Sequence, residues 1–208
     1  LKAQRVLSAV CVPICFTQAV LAEPLFRLVL DAKWQPAIPV FQVVSLMQAF
    51  YFATGPSMSC LRAQRRFGTF FAWQGIQLVI SLPVYWMGAD WKGALGIALA
   101  SGACWAISAP IVVWLCTLAS PRKHLFDALA IFVRPWVVCA PLFGGFYMLT
   151  QWSSNFGRLG DIASLFIVGP ISTLLAIWIM RFVHADIRNT IDGFVVGALA
   201  KIRRKRSI

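Results

Sequence analysis

The chain has 208 residues, of which 60% are hydrophobic and only 12% charged, and it carries nine Trp. No water-soluble domain of this size hides so much apolar surface, which excludes a soluble fold and leaves an all-α integral membrane protein. The formal net charge of +12 calls for no nucleic-acid partner, because the basic residues collect where the cytoplasmic loops of a membrane protein would lie.

A membrane span needs about 20 predominantly apolar residues, since only a hydrogen-bonded helix carries its backbone polar groups through hydrocarbon. Six stretches qualify: Val6 to Ala22, Ala37 to Leu61, Phe67 to Met87, Gly93 to Cys116, Ala128 to Leu149 and Ile162 to Val183. They are continuous, where an outer-membrane barrel would alternate apolar and polar residues. The first holds Pro13 and Gln18, leads into Glu23 and Pro24 and is followed by five more runs, so it reads as a true span rather than a cleaved leader. Beyond it Glu23, Arg27 and Asp31 stand at four-residue steps, the pattern of an exposed helical extension held by ion pairs.

In the second span Gln42, Ser45 and Gln48 lie on neighbouring turns, and in the third Gln74, Gln77 and Ser81 follow a helical stripe. Two readings stand for these groups: they line a hydrophilic passage, or they form interhelical hydrogen bonds of roughly 0.6 kcal/mol each. Gly93, Gly96, Ala100 and Ala103 share one face of the fourth span, where small side chains let another backbone approach. Pro13, Pro56, Pro83, Pro110, Pro135, Pro141 and Pro170 place a proline in or beside every span, and each removes a helical hydrogen bond. After the sixth span, Ile187, Ile191, Phe194, Val195, Leu199 and Ile202 recur at helical spacing ahead of the basic run Lys201 to Arg206. Residues 185–208 therefore read as a cytoplasmic amphipathic tail that meets anionic lipids, and residues 1–184 as the six-helix unit.

Orientation follows from loop charge. Lys2 and Arg5, then Arg62, Arg65 and Arg66, then Arg122 and Lys123, and finally the tail occupy alternate connections. The other connections balance Arg27 and Lys33, Lys92 and Arg158 against Glu23 and Asp31, Asp90 and Asp161. The positive set faces the cytoplasm, so both termini lie there. The six cysteines sit in or at the ends of apolar runs, which disfavours disulfides, and Cys11 with Cys15 has no His or carboxylate in its span to complete a metal site. His124 and His184 fall at cytoplasmic helix ends. No catalytic cluster, metal site or cofactor motif emerges.

The stretch AEPLFRLVLDAKW (Ala22 to Trp34), followed by PAIPVFQVVSLMQAF and then CLRAQRRFG, resembles the carboxyl half of bacterial polysaccharide flippases. These O-antigen and exopolysaccharide carriers belong to the multidrug, oligosaccharidyl-lipid and polysaccharide exporter superfamily. Glu23-Pro24, Lys33-Trp34 and the basic loop Arg62 to Gly68 carry the match over roughly residues 20 to 70, while Asp31-Ala32 replaces the glycine usual before the Trp. The resemblance implies one lobe of a two-lobed fold of 12 to 14 helices in the cell inner membrane. The amino-terminal lobe would be missing, and the substrate would be undecaprenyl-diphosphate-linked oligosaccharide. It also offers a role for Arg134: beside Pro135 and about 16 Å along a helix from Lys123, it would attract the carrier diphosphate from a wet cavity. The alternative is a span that starts later, with Arg134 reaching cytoplasmic headgroups near Asp127.

Two other classes compete with transport. A membrane-embedded glycosyltransferase, ligase or polymerase of the same pathway would carry charged residues on a sizeable outer loop, whereas the outer segments here are short and Glu23 is the one Glu in the chain. A non-transporting scaffold or truncated remnant is the third reading.

Overall fold

A computed structural model describes residues 2–117 and 125–183, and the described residues are helical, with no strand. Helix α1 spans Lys2–Val29 and is followed by a 3-10 turn, Ala32–Ala37; α2 covers Ile38–Ala63, α3 Phe67–Thr117, α4 Leu125–Ser154, α5 Arg158–Ala163 and α6 Gly169–Val183. The predicted tail at residues 185–208, His124, His184 and the Arg122–Lys123 loop lie outside the described residues. Five helical stretches are long and apolar enough to cross a membrane: Ala3–Val29, Ala32–Ala63, Phe67–Cys116, Ala128–Ser154 and Arg158–Met180.

The helices overrun the predicted spans at their polar ends. α1 continues through Glu23 and Arg27, which form an ion pair, but it stops at Val29, so Asp31 leaves the predicted ladder and pairs with Lys33 at 3.5 Å. α3 is about twice the length one crossing needs. At Lys92 (φ −142°, ψ 22°) and Gly93 (φ 57°, ψ −131°) its backbone leaves helical geometry and the chain doubles back into two arms. Only glycine enters the Gly93 conformation without strain. The arms touch through the small residues: a Cβ on Gly88 would lie 2.6 Å from the Gly96 carbonyl oxygen and 3.0 Å from Ala100 Cβ. Between α5 and α6, Ser164–Val168 widens into a π-helical turn just ahead of Pro170, whose missing N–H leaves the regular ladder incomplete.

Helix α1 lies at the centre. Ser8, Ala9, Val12, Cys15, Ala19 and Ala22 are buried, a mostly small-residue surface against which α2, α4 and α6 pack. An aromatic ladder ties three helices together, with Phe16 of α1 5.0 Å from Trp136 and 5.5 Å from Phe143 of α4, and Trp136 stacked 4.8 Å from Phe50 of α2. Such pairs contribute about 0.5–1.5 kcal/mol each beyond burial. A second cluster joins Ala53 of α2, Ala109 and Val113 of α3, and Ala128, Ile131 and Phe132 of α4. Among the described residues all six cysteines are free thiols, with Cys15 and Cys139 buried.

Cross-helix hydrogen bonds show which ends meet. Gln4 bonds Ser57, Ser8 Oγ donates to the Ile131 carbonyl at 3.0 Å, and Arg66 Nη1 donates to the Leu115 carbonyl at 3.1 Å. These contacts gather Arg5, Arg62, Arg65 and Arg66 at one end of the bundle. At the other end Gln151 bonds Glu23, and the Lys92–Gly93 turn and the α4–α5 connection lie there with Asp90, Arg158 and Asp161. Trp34, Trp86, Trp91 and Trp152 are exposed at this mixed-charge end. Between the ends, Leu78, Val79, Leu82, Ile107, Val137, Phe166 and Leu174 are each at least 60% exposed, as in helices long and apolar enough to cross a membrane.

Candidate functional site

A polar cleft of about 320 Å³ opens at the basic end of the bundle, between α2 and both arms of α3. One face of α2 forms its floor: Tyr51, Gly55, Ser59 and Arg62 follow each other at three- or four-residue steps, covering about 16 Å of helix. The first arm of α3 adds Phe70 and Gln74, and the second adds Trp105. Met47 of α2 lies against Gly102, a contact that a side chain at Gly102 would obstruct, and this draws α2 onto the second arm.

Arg62 is the charge in this cleft. Its guanidinium stands 4.7 Å above the Phe70 ring and makes no hydrogen bond or ion pair with another described residue. The ring holds the planar cation in place by a cation–π contact while its N–H donors remain available. Gln74, on the exposed side of the first arm, adds amide donors and an acceptor. Deeper along α2, Tyr51 and Trp105 meet edge to face at 5.0 Å and 85°, so two aromatic side chains flank the cleft. A fixed cation at the mouth, hydroxyl and amide groups beside it and aromatic faces further in can hold an anionic head group and stack on a ring-shaped polar body.

Four of the five predicted site residues line four separate concavities, and Gln48 lines none of these. Gln74 joins Arg62. Gln42 lies about 30 Å along α2 from Arg62, in a cleft of about 260 Å³ lined also by Phe16, Val20, Leu46, Phe143 and Tyr147. Near it Gln151 donates to the Glu23 carboxylate and to Tyr147 Oη at 3.1 Å. Gln48 is half-buried and makes no hydrogen bond among the described residues. Gln77 lines a third cavity, between the arms of α3, while Ser81 bonds the Leu78 carbonyl of its own helix at 3.1 Å. Arg134 sits about 14 Å into α4 on an exposed face with Val133, Val137 and Val138, and has no hydrogen bond or ion pair among the described residues. The structure thus brings Gln74 to a cation and keeps Gln42, Gln77 and Arg134 apart.

Along the sequence Arg62 counts as a loop charge rather than a site residue. The signal was present in the helical spacing of Tyr51, Gly55, Ser59 and Arg62, whereas Phe70, Gln74 and Trp105 reach the cleft only through the fold of the α3 hairpin. The Glu23–Gln151 bond joins residues 128 positions apart and has no local sequence signal. Among the described residues no group of His, Cys, Asp and Glu is gathered as metal ligands. No family model, curated protein or solved structure matches the chain.

Proposed function

We propose that this chain is a six-span lobe of a transporter that moves undecaprenyl-diphosphate-linked oligosaccharide across the cell inner membrane by alternating access, for cell-surface polysaccharide synthesis. The fold of the long third apolar stretch at Lys92–Gly93 supports counting it as two of six crossings, and the positive-inside rule supports a cytoplasmic basic end, which on that count would lie on the same side as both termini. Exposed Trp side chains at the opposite end suit the outer interface.

The observation that carries the reading is the Arg62 cleft. It opens at the basic end, where a substrate in the cytoplasmic leaflet would enter, and it combines the chemistries that such a substrate presents. Arg62 would engage the diphosphate, Gln74 and Ser59 the sugar hydroxyls, and Tyr51 with Trp105 the sugar faces. The lipid tail would lie along the exposed apolar faces. Arg134, unpaired among the described residues on a mostly apolar face of α4, would serve as a second phosphate anchor, and an amino-terminal lobe would close the cavity over both. Translocation makes and breaks no covalent bond, so no catalytic residue is assigned.

The test is export in cells whose native gene carries Arg62→Ala or Arg62→Lys, with membrane abundance measured in parallel. A charge-assisted contact of about 1.5–3 kcal/mol corresponds to a loss of roughly tenfold or more for the Ala variant, with partial recovery for Lys. Normal surface polysaccharide at normal abundance in the Ala variant would remove the cleft from the transport path.

A further inference from the structure

The two arms of α3 touch at Gly88, Gly96 and Ala100 and then diverge, leaving a cavity of about 160 Å³ between them. Its walls are Ile76, Ile80, Val84, Ala103, Cys104 and Ile107, and no charged side chain lines it. The remaining lining residues, Trp73, Gln77 and Ser108, each carry a buried polar atom without a hydrogen-bond partner among the described residues: the indole Nε1, the amide Oε1 and the hydroxyl Oγ. Ser108 is 4% exposed. Its isolation is unusual within this protein, where Thr17, Thr54, Ser81, Thr150, Ser153 and Ser172 all donate to a carbonyl three or four residues back. A buried polar atom left unpaired is costly, so three at one cavity point to a missing partner.

From this arrangement we infer that the α3 cavity binds a neutral alcohol with an apolar tail, of the class of long-chain membrane alcohols. The hydrogen-bond inventory and the apolar walls together select it. A hydroxyl has one proton and two lone pairs, so it can donate to Gln77 Oε1 while accepting from Trp73 Nε1–H and from Ser108 Oγ–H, a group that can also accept. An alkane satisfies none of these groups. A carboxylate has no proton for Gln77 and meets no cation, and water, which could bond the same three groups, leaves the apolar walls uncovered. A void of about 150 Å³ is large enough in other proteins to admit a benzene molecule. Ile76, Ile80 and Ile107 are themselves 50–66% exposed, so a tail longer than the cavity continues onto the apolar surface. The site is separate from the Arg62 cleft and stands whether or not the chain is a transporter.

Cys104, half-buried in the cavity wall, provides the readout. The full chain in detergent micelles is alkylated with N-ethylmaleimide, and modification of Cys104 is followed by peptide mass spectrometry in the presence of n-octanol, n-octane or octanoate. At octanol concentrations about ten times its dissociation constant, alkylation should slow about tenfold, while octane and octanoate at matched concentration leave it within about twofold. In the double variant Gln77→Leu, Ser108→Ala, octanol should protect no better than octane. Ala103→Leu, which fills the space and keeps all three polar atoms, should slow alkylation without any ligand. Equal protection by octanol and octane in the native chain, or no protection by either, overturns the proposal, and that comparison needs no variant to fold.

Discussion

Gln4 and Ser57 are both buried at the basic end, and their side chains bond each other across α1 and α2. Removing one partner leaves the other unpaired in an apolar interface, so Ser57→Ala should lower stability by about 1–3 kcal/mol, whereas Gln4→Leu combined with Ser57→Ala should recover part of the loss. Reversible unfolding in mixed micelles, run as a double-mutant cycle, measures both, and additive losses would show that the pair contributes nothing as a pair. Arg134 presents the opposite case, a charge with no described partner on an exposed face. Its replacement by Ala breaks no hydrogen bond or ion pair of the described bundle and eases insertion, by roughly 2.5–3.5 kcal/mol on insertion scales where the residue faces lipid near the centre. Membrane abundance of Arg134→Ala should therefore hold or rise. A fall in export at that abundance assigns the residue to the substrate path, and unchanged export removes it.

At the level of the elements, the α3 hairpin depends on glycine at two kinds of position. Gly93 has a positive φ that an L side chain enters at a cost of about 1–3 kcal/mol, so Gly93→Ala should destabilise although nothing lies within 4 Å of the added methyl. Gly96 faces the backbone of Gly88, which cannot rotate away as a side chain could, and Gly96→Leu should separate the arms and cost more than Gly93→Ala. Gly75, in the first arm with helical geometry and open space around it, is the internal control: Gly75→Ala should be neutral or stabilising by up to about 1 kcal/mol. Thermal melting of the three variants should rank them Gly96→Leu, Gly93→Ala, Gly75→Ala from least to most stable. A Gly96→Leu variant as stable as the parent would show that the arms do not pack as described.

For the whole molecule, the prediction concerns which end faces which side. Gln64 lies in the α2–α3 connection beside Arg62, Arg65 and Arg66, whereas Asp90 and Asn155 lie at the opposite end. Single cysteines at Asp90 and Asn155, in a background lacking the native cysteines, should react with a membrane-impermeant thiol reagent applied to the outside of cells. A cysteine at Gln64 should react only after permeabilisation. Labelling of Gln64 with silence at Asp90 would invert the assignment and place the Arg62 cleft on the wrong side for a cytoplasmic substrate.

What was legible in the sequence followed from properties that are local along the chain. Continuous apolar runs define helices because each helix satisfies its own backbone, and the break at Lys92–Gly93 could be placed because Asp90, Lys92 and Gly93 interrupt the run at that point. The glycine and alanine face from Gly93 to Ala103 was read as a packing face, and part of it, Gly96 and Ala100, meets Gly88. The extension of α1 through Glu23 and Arg27 is legible in their four-residue spacing, although the helix stops before Asp31, whereas α4 continues past its apolar core to Ser154 with no local signal. The tertiary structure alone decided which polar groups meet. Gln42, Gln74 and Gln77 look alike in sequence, yet one lies beside Tyr147, one beside Arg62 and one beside Ser108. The reason is that helical spacing fixes which face of its own helix a residue occupies, but which neighbouring helix covers that face depends on contacts between residues far apart in the chain.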